Sequence, residues 1–304
     1  MPDEYLKLYG DDYSGPRFDW STYDKVTEPD EAIEHLRKRY AATLTMTDKW
    51  LGRLFDQLKE NGDYDDTLII LTSDHGHLLG EQGWTGKNRM PIYNEIAHIP
   101  LIVRQSGGKG KGERINAITQ NIDIMPTLLD FFAIEKPGNL HGKSWLPLLN
   151  SETDSIRDYA LYGYFGMAVN ITDGQYTYFR APESEDNHPC NFYGSVMTRL
   201  GQYLGRDKAE ILKMGRFLSW TNYPVYKLPI SEKGVSAAER RGFSQGIGNV
   251  RDTLLFNINE DYEQKVPLEN KVIEQLMIEA LIRSMKEADS PEEQFERLGL
   301  NILH

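Results

Sequence analysis

A single cysteine, Cys190, stands in 304 residues. An intrachain disulfide is therefore excluded, and cysteine usage leaves the redox compartment unread. No apolar run approaches the roughly 18 residues that a helical membrane span needs, so no such span is expected. Positive charge is scarce, with 34 Lys and Arg against 46 Asp and Glu and a net charge of −12. Without a basic footprint, general nucleic-acid binding is not expected. An anionic substrate would depend on a bound cation or on a few placed bases. The opening residues, MPDEYLKLYGDDYSG, lack the apolar core of a signal peptide. Internal repeats and low-complexity tracts are also missing. What remains is a globular composition with 17 tyrosines, long enough for one large domain or a domain with a subdomain.

The chain is organised around Thr67 to Arg104. The β-branched apolar run Thr67 to Thr72 reads as a buried strand, and polarity switches at its end to Ser73-Asp74-His75-Gly76-His77. Open α/β sheets place ligands at the carboxyl ends of strands, so chemistry is expected there. Asp74 offers a hard oxygen suited to Ca²⁺ or Mg²⁺, and His75 a nitrogen better matched to transition metals. Lys87 follows in a glycine-flanked loop before a second strand, Ile99 to Arg104. Two ligands do not hold a divalent cation tightly, and taken alone the pair is equally the turn-forming Asp and surface His of an ordinary loop.

Elsewhere the pattern is mostly structural. Apolar residues at Ile33, Leu36, Tyr40, Leu44, Thr47, Leu51, Leu54 and Leu58 predict one amphipathic helix over 30–60, capped by Asp30 or Thr27 and ended by Asn61-Gly62. The run Gly107 to Gly112 has neither the pattern nor the following helix of a phosphate loop and reads as an exposed connection. A short strand is expected over 114–119, then a helix over 121–134 with Asp123 as its N-cap. From Tyr159 the texture becomes aromatic and β-branched: strands over 161–170 and 175–179 joined at Thr172-Asp173-Gly174, a further strand over 253–258, a helix over 272–285, and a capping box at Ser290-Pro291-Glu292-Glu293. The stretch 180–248 has no clear period. Trp84, Tyr93 and Tyr164 are candidates to line a sugar site, although aromatic residues more often pack.

The segment TLIILTSDHGHLLGEQG…GK…IPLIV resembles the C-terminal signature of the sulfatases, members of the alkaline-phosphatase superfamily. Tyr40 to Gly62 with Asp65-Asp66-Thr67, Gln120 to Asn150, Ile171 to Gly174 with Thr177-Tyr178, and Leu255 to Asn257 with Asn259 to Asp261 resemble further family segments. The resemblance implies an α/β fold: a mixed sheet sandwiched by helices, then a small C-terminal antiparallel sheet and helix. It places the C-terminal part of the catalytic domain at 1–158 and an α+β subdomain at 159–304, with an insert at about 180–248.

It also implies roles. Asp74 and His75 match ligands of an active-site Ca²⁺, with Mg²⁺ or Mn²⁺ as second choices. Lys87 matches the lysine that contacts the sulfate and the bridging oxygen, and His98 stands where many members carry arginine. Lys87 and His98 are thus the catalytic candidates; His77, Arg180 and His188, with Lys87, are the candidates for substrate contact. The family nucleophile is a formylglycine made within a C-x-P-S-R motif. That motif does not occur here, and Cys190 lies far downstream of its place.

The expected function is hydrolysis of organic sulfate esters, aryl or carbohydrate, by a protein of which this chain is a C-terminal portion inactive on its own. Its partner would be a sulfated small molecule or carbohydrate, with no nucleic acid and no membrane. Self-association or a need for an N-terminal half is expected, as is a soluble existence in a bacterial cytoplasm or periplasm. The alternatives are a phosphonate or phosphodiester hydrolase of the same superfamily, or a non-catalytic relic that binds an anion or a carbohydrate.

Overall fold

The structure is a computed structural model that describes residues 2–16, 18, 20–21, 23–87, 90–184, 187–195, 210–229 and 252–300. The chain divides into two compact units, 1–87 with 95–114, and 88–94 with 115–304. Residues 115–158 thus group with the C-terminal sheet.

In the first unit, a short helix α1 (Asp3–Leu6) precedes the long helix α2 (Asp30–Asn61). The apolar spacing predicted α2 almost to the residue. Gly62 ends it in the left-handed conformation at φ 81°, its N–H turned back to the carbonyls of Leu58 and Lys59. Its start differs from expectation, because Pro29 is the N-cap and no side chain caps the helix. Ala32, Ile33, His35, Leu36 and Ala42 are buried, and the buried imidazole of His35 is held by Asp11 at 2.8 Å and stacked on Tyr13. The predicted stripe continues beyond them, yet Tyr40, Leu44 and Leu54 are exposed.

The strand expected over 67–72 forms as β1 (Ile69–Thr72), and the next major strand as β4 (Leu101–Arg104), paired antiparallel with Ile69 opposite Arg104. Burial was expected for β1, but these two strands form a sheet by themselves among the described residues, and Leu71 and Ile102 are exposed. Arg104 closes the sheet end. Its guanidinium pairs with Asp65 at 2.7 Å and lies 3.9 Å over the Tyr64 ring. Between them come the short hairpin strands β2 (Leu78–Leu79) and β3 (Thr85–Gly86), and the helical turn α3 (Asn94–Ala97).

In the second unit, α4 (Ile124–Phe131) and α5 (Leu146–Leu149) precede the sheet. Asp123 stands at the N-cap of α4 as expected, but its side chain makes no capping bond to that helix. It is a fully buried hub: its carboxylate receives the Arg157 guanidinium through both oxygens at 2.5 Å, the Gln120 N–H at 2.7 Å and the Lys143 N–H at 2.7 Å. The strand expected over 114–119 does not form, and the Ile118 carbonyl accepts from Arg157 rather than from a neighbouring strand.

A four-stranded antiparallel sheet follows, in the order β11-β7-β6-β5. Its strands are β5 (Ala160–Gly163), β6 (Val169–Thr172), β7 (Tyr176–Arg180) and β11 (Leu254–Asn257). The single strand expected over 161–170 is broken, because the chain turns between Tyr164 and Met167 and folds β6 back onto β5. The hairpin at Thr172-Asp173-Gly174 forms as expected, with Gly174 at φ 87°. One sheet face packs Ile171, Tyr178 and Leu255 against Met277, Leu281 and Met285 of α6 (Lys271–Glu287), with Phe295 and Leu298 from the region of α7 (Glu292–Arg297) closing the core.

Within 180–248, the described residues form a second antiparallel sheet, β8-β10-β9. It is built from β8 (Asn191–Gly194), β9 (Lys213–Gly215) and β10 (Val225–Pro229).

Candidate active site

The polar turn after β1 is shaped by its own side chains. The Asp74 carboxylate accepts the His75 N–H at 3.0 Å, and the Ser73 hydroxyl donates to the His75 carbonyl at 2.8 Å. The turn then docks on α3, where Gly76 N–H donates to Ile96 O at 2.8 Å and His77 N–H to Glu95 O at 3.1 Å. Only glycine permits this approach, since a Cβ on residue 76 would lie 1.8 Å from the Glu95 carbonyl oxygen.

The β2–β3 hairpin returns the chain to the same place. Leu78 pairs with Gly86, so the next residue, Lys87, falls level with His77. Its ammonium contacts His75 Nε2. The other ring nitrogen of His75, Nδ1, donates to Gly76 O at 2.9 Å and fixes the plane of the ring. On the other side the Asp74 carboxylate stands 3.1 Å from Nε2, with 81% of its side chain exposed. Three of the residues singled out in the sequence thus converge on one point.

The charges there tune one another. What little burial there is opposes ionisation of Asp74, but the His75 charge, the backbone N–H of His75 and the Lys87 ammonium together hold its carboxyl below the ordinary value. His77 is lowered chiefly by burial, then by the nearby Lys87 and His75 charges, with Glu81 opposing. A hydrogen bond of 2.8 Å joins its Nε2 to Ser21 Oγ.

A carboxylate oxygen and an imidazole Nε2 fit part of a cation's shell. A hard divalent cation takes about 6–8 oxygen ligands, and among the described residues no three His, Cys, Asp or Glu gather to hold a metal. Further donors would have to come from elsewhere.

His98 is exposed, one residue beyond α3 and two beyond the carbonyl that receives Gly76. Arg180 ends β7 in the second unit, where its guanidinium donates to the carbonyls of Leu298 at 2.7 Å and Gly299 at 3.3 Å, a structural clasp on the end of α7. His188 is exposed in the same unit, before a cis peptide bond to Pro189. Tyr93 packs on Phe179 and Phe256, and the Lys25 ammonium lies 5.6 Å over the Trp84 ring. Sequence reasoning missed Ser21 and Tyr23, whose ring meets that of His77 edge-on at 5.5 Å. Neither carries a motif.

Solved structures define the fold first. The chain superposes with a TM-score of 0.58 at 18% identity on a structure solved with its substrate D-glucosamine-2-N,6-O-disulfate, covering 88% of this chain and 44% of that one. A phosphonate monoester hydrolase from Silicibacter pomeroyi matches with a TM-score of 0.53 at 24% identity, covering 87% and 44%. The fold is thus that of the alkaline-phosphatase-like sulfatases and their neighbours.

The family model described as Sulfatase matches residues 4–134. Through that segment the chain is similar to the sulfatase family. The N-acetylglucosamine-6-O-sulfatase of Bacteroides thetaiotaomicron is 38% identical over 126 residues, 41% of this chain and 22% of that protein. The chain therefore spans less than half the length of these relatives.

Proposed function

We propose that this chain contributes to a hydrolase of organic sulfate esters, aryl or carbohydrate sulfates, and that Asp74, His75 and Lys87 form one side of its anion centre. The convergence of a carboxylate, an imidazole Nε2 and an ammonium at one strand end carries the reading. Asp74 and His75 Nε2 would hold Ca²⁺ together with donors outside this set, and the cation would offset charge on the sulfuryl oxygens. Lys87 would donate to the bridging oxygen as charge develops on the leaving group. His98, close behind the α3 carbonyls that receive the turn, is a second candidate to meet the substrate. The formylglycine nucleophile that the family resemblance implies has no motif in these 304 residues, and no step is assigned to it. The Arg180 donors are spent on the backbone carbonyls of Leu298 and Gly299.

Hydrolysis of a phosphonate ester is the second reading. The same three groups would serve any tetrahedral oxyanion, and a phosphonate monoester hydrolase shares the fold. The two separate in one titration of wild-type and Lys87→Ala protein with 4-nitrocatechol sulfate and with a phenylphosphonate monoester, each in Ca²⁺ and in EDTA. Expected is Ca²⁺-dependent binding of the sulfate ester that Lys87→Ala weakens about ten- to hundredfold, the range of a charge-assisted hydrogen bond of about 1.5–3 kcal/mol. Tighter binding of the phosphonate selects the second reading. Binding that ignores both Ca²⁺ and Lys87 overturns the two together.

A further inference from the structure

The Lys87–His75 centre continues outward as a row of rings that the sulfate chemistry leaves unused. His77, beside His75, is met edge-on by Tyr23 at 90° and 5.5 Å, and Tyr23 is followed by Trp20 at 6.4 Å. Ser21, buried between them in sequence, fixes the imidazole through the 2.8 Å contact with its Nε2. The indole of Trp20 is 72% exposed.

This segment is pinned in place. Thr85 N–H donates to Asp24 O at 2.9 Å and Val26 N–H to Gly83 O at 2.8 Å, with Lys25 bridged to Trp84. The backbone is forced to comply: Tyr23 sits at φ 60°, in the left-handed region. Gly86 makes room for it, since a Cβ there would fall 2.7 Å from Tyr23 Cα. Strain of this kind persists where the surroundings over-determine it. Here it orients a tyrosine toward a histidine and leaves a tryptophan facing solvent.

Resting on the sulfate-ester reading, we propose that Trp20 and Tyr23 form the wall that receives the ring of a sulfated hexopyranose, whose sulfate lies toward Lys87 and His75. The C–H face of the sugar stacks on the exposed indole, and its hydroxyls meet the Tyr23 phenol and the His77 imidazole. An aryl ester has no hydroxyls for these polar groups and gains less from them.

The test uses the full chain in Ca²⁺, titrated with N-acetylglucosamine 6-sulfate, 4-nitrophenyl sulfate and inorganic sulfate, in wild type, Trp20→Ala, Trp20→Phe and Trp50→Ala. Trp50 is the control, an indole 57% exposed on α2. Expected is that Trp20→Ala weakens binding of the sugar sulfate about tenfold, the upper end for a stacked aromatic contact. Inorganic sulfate should change less than twofold, Trp20→Phe should restore most of the loss, and Trp50→Ala should do nothing. In wild type the sugar sulfate should also quench indole fluorescence where inorganic sulfate does not, a readout independent of any variant's folding. Sugar-sulfate binding that is indifferent to Trp20, while sulfate still binds, overturns the wall and leaves the sulfate reading standing. Failure of wild type to bind either the sugar sulfate or sulfate overturns both.

Discussion

Gly76 shows how much of this site depends on one missing side chain. It lies between the metal candidate His75 and the ring His77, and its N–H and that of His77 dock the turn on the carbonyls of Ile96 and Glu95. A methyl group there would meet backbone oxygen 1.8 Å away, and backbone cannot swing aside as a side chain can. Gly76→Ala is expected to lose both bonds and about 1–3 kcal/mol, each bond being worth about 0.5–1.5 kcal/mol. Gly138→Ala, with nothing within 4 Å of its new methyl, should stay within about 0.5 kcal/mol. Urea unfolding of the two variants side by side checks this, and equal effects would remove the packing argument. At this scale Asp74, His75 and Lys87 were legible, because a polarity switch at a strand end and a glycine-flanked lysine are local signals. Ser21 was not, since its partner His77 is 56 residues away and a lone serine carries no pattern.

Elements were legible where a single period ran long enough. The helices α2 and α6 follow their apolar spacing closely, whereas β8, β9 and β10 are short and mix Lys213, Lys227 and Pro229 with aromatic residues, so no alternation stands out. The capping box expected at the start of α7 fails for a reason visible only in three dimensions. The N-cap is Pro291, and Glu293 accepts from the Tyr193 hydroxyl and from Asn191 Nδ2 at 2.9 Å, with Lys227 at 3.8 Å, tying the helix to the β8–β10 pair. Burial alone would raise its carboxyl, but the Tyr193 and Asn191 hydrogen bonds, its own backbone N–H and the Lys227 charge hold it below the ordinary 4.5. The same contact, after burial, pushes the Tyr193 phenol up. A depressed carboxyl contributes stability above its unfolded value, and that contribution is lost as pH falls through the folded value. Wild type should therefore exceed Glu293→Gln in stability by about 1 kcal/mol at pH 7, with the gap closing below pH 4.5. Parallel urea midpoints for the two proteins from pH 7 to pH 3 would show that Glu293 is not held as described.

For the whole molecule, the sequence pointed to the family and to the small C-terminal sheet under its helix, because those parts complete their own cores. It misjudged burial where the chain does not. The β1–β4 pair leaves Leu71 37% and Ile102 61% exposed in the first unit, and in the second the face around α4 leaves Met125 at 54%, Phe132 at 64% and Ile134 at 54%. That second face lines an apolar groove of about 650 Å³ with Leu128, Leu129 and Leu140. Leu71, in a strand read as buried, is thus at the surface, in a chain that covers 44% of a structural neighbour. Exposed apolar surface of this kind binds hydrophobic dyes and invites association. The native protein is expected to enhance ANS fluorescence at neutral pH, and Ile102→Ser and Phe132→Ser should each lower that signal while leaving far-ultraviolet circular dichroism unchanged. Dye binding that neither variant reduces would mean that these faces are covered in solution, by a second copy or by another part of a longer protein, and sedimentation at rising concentration would tell which.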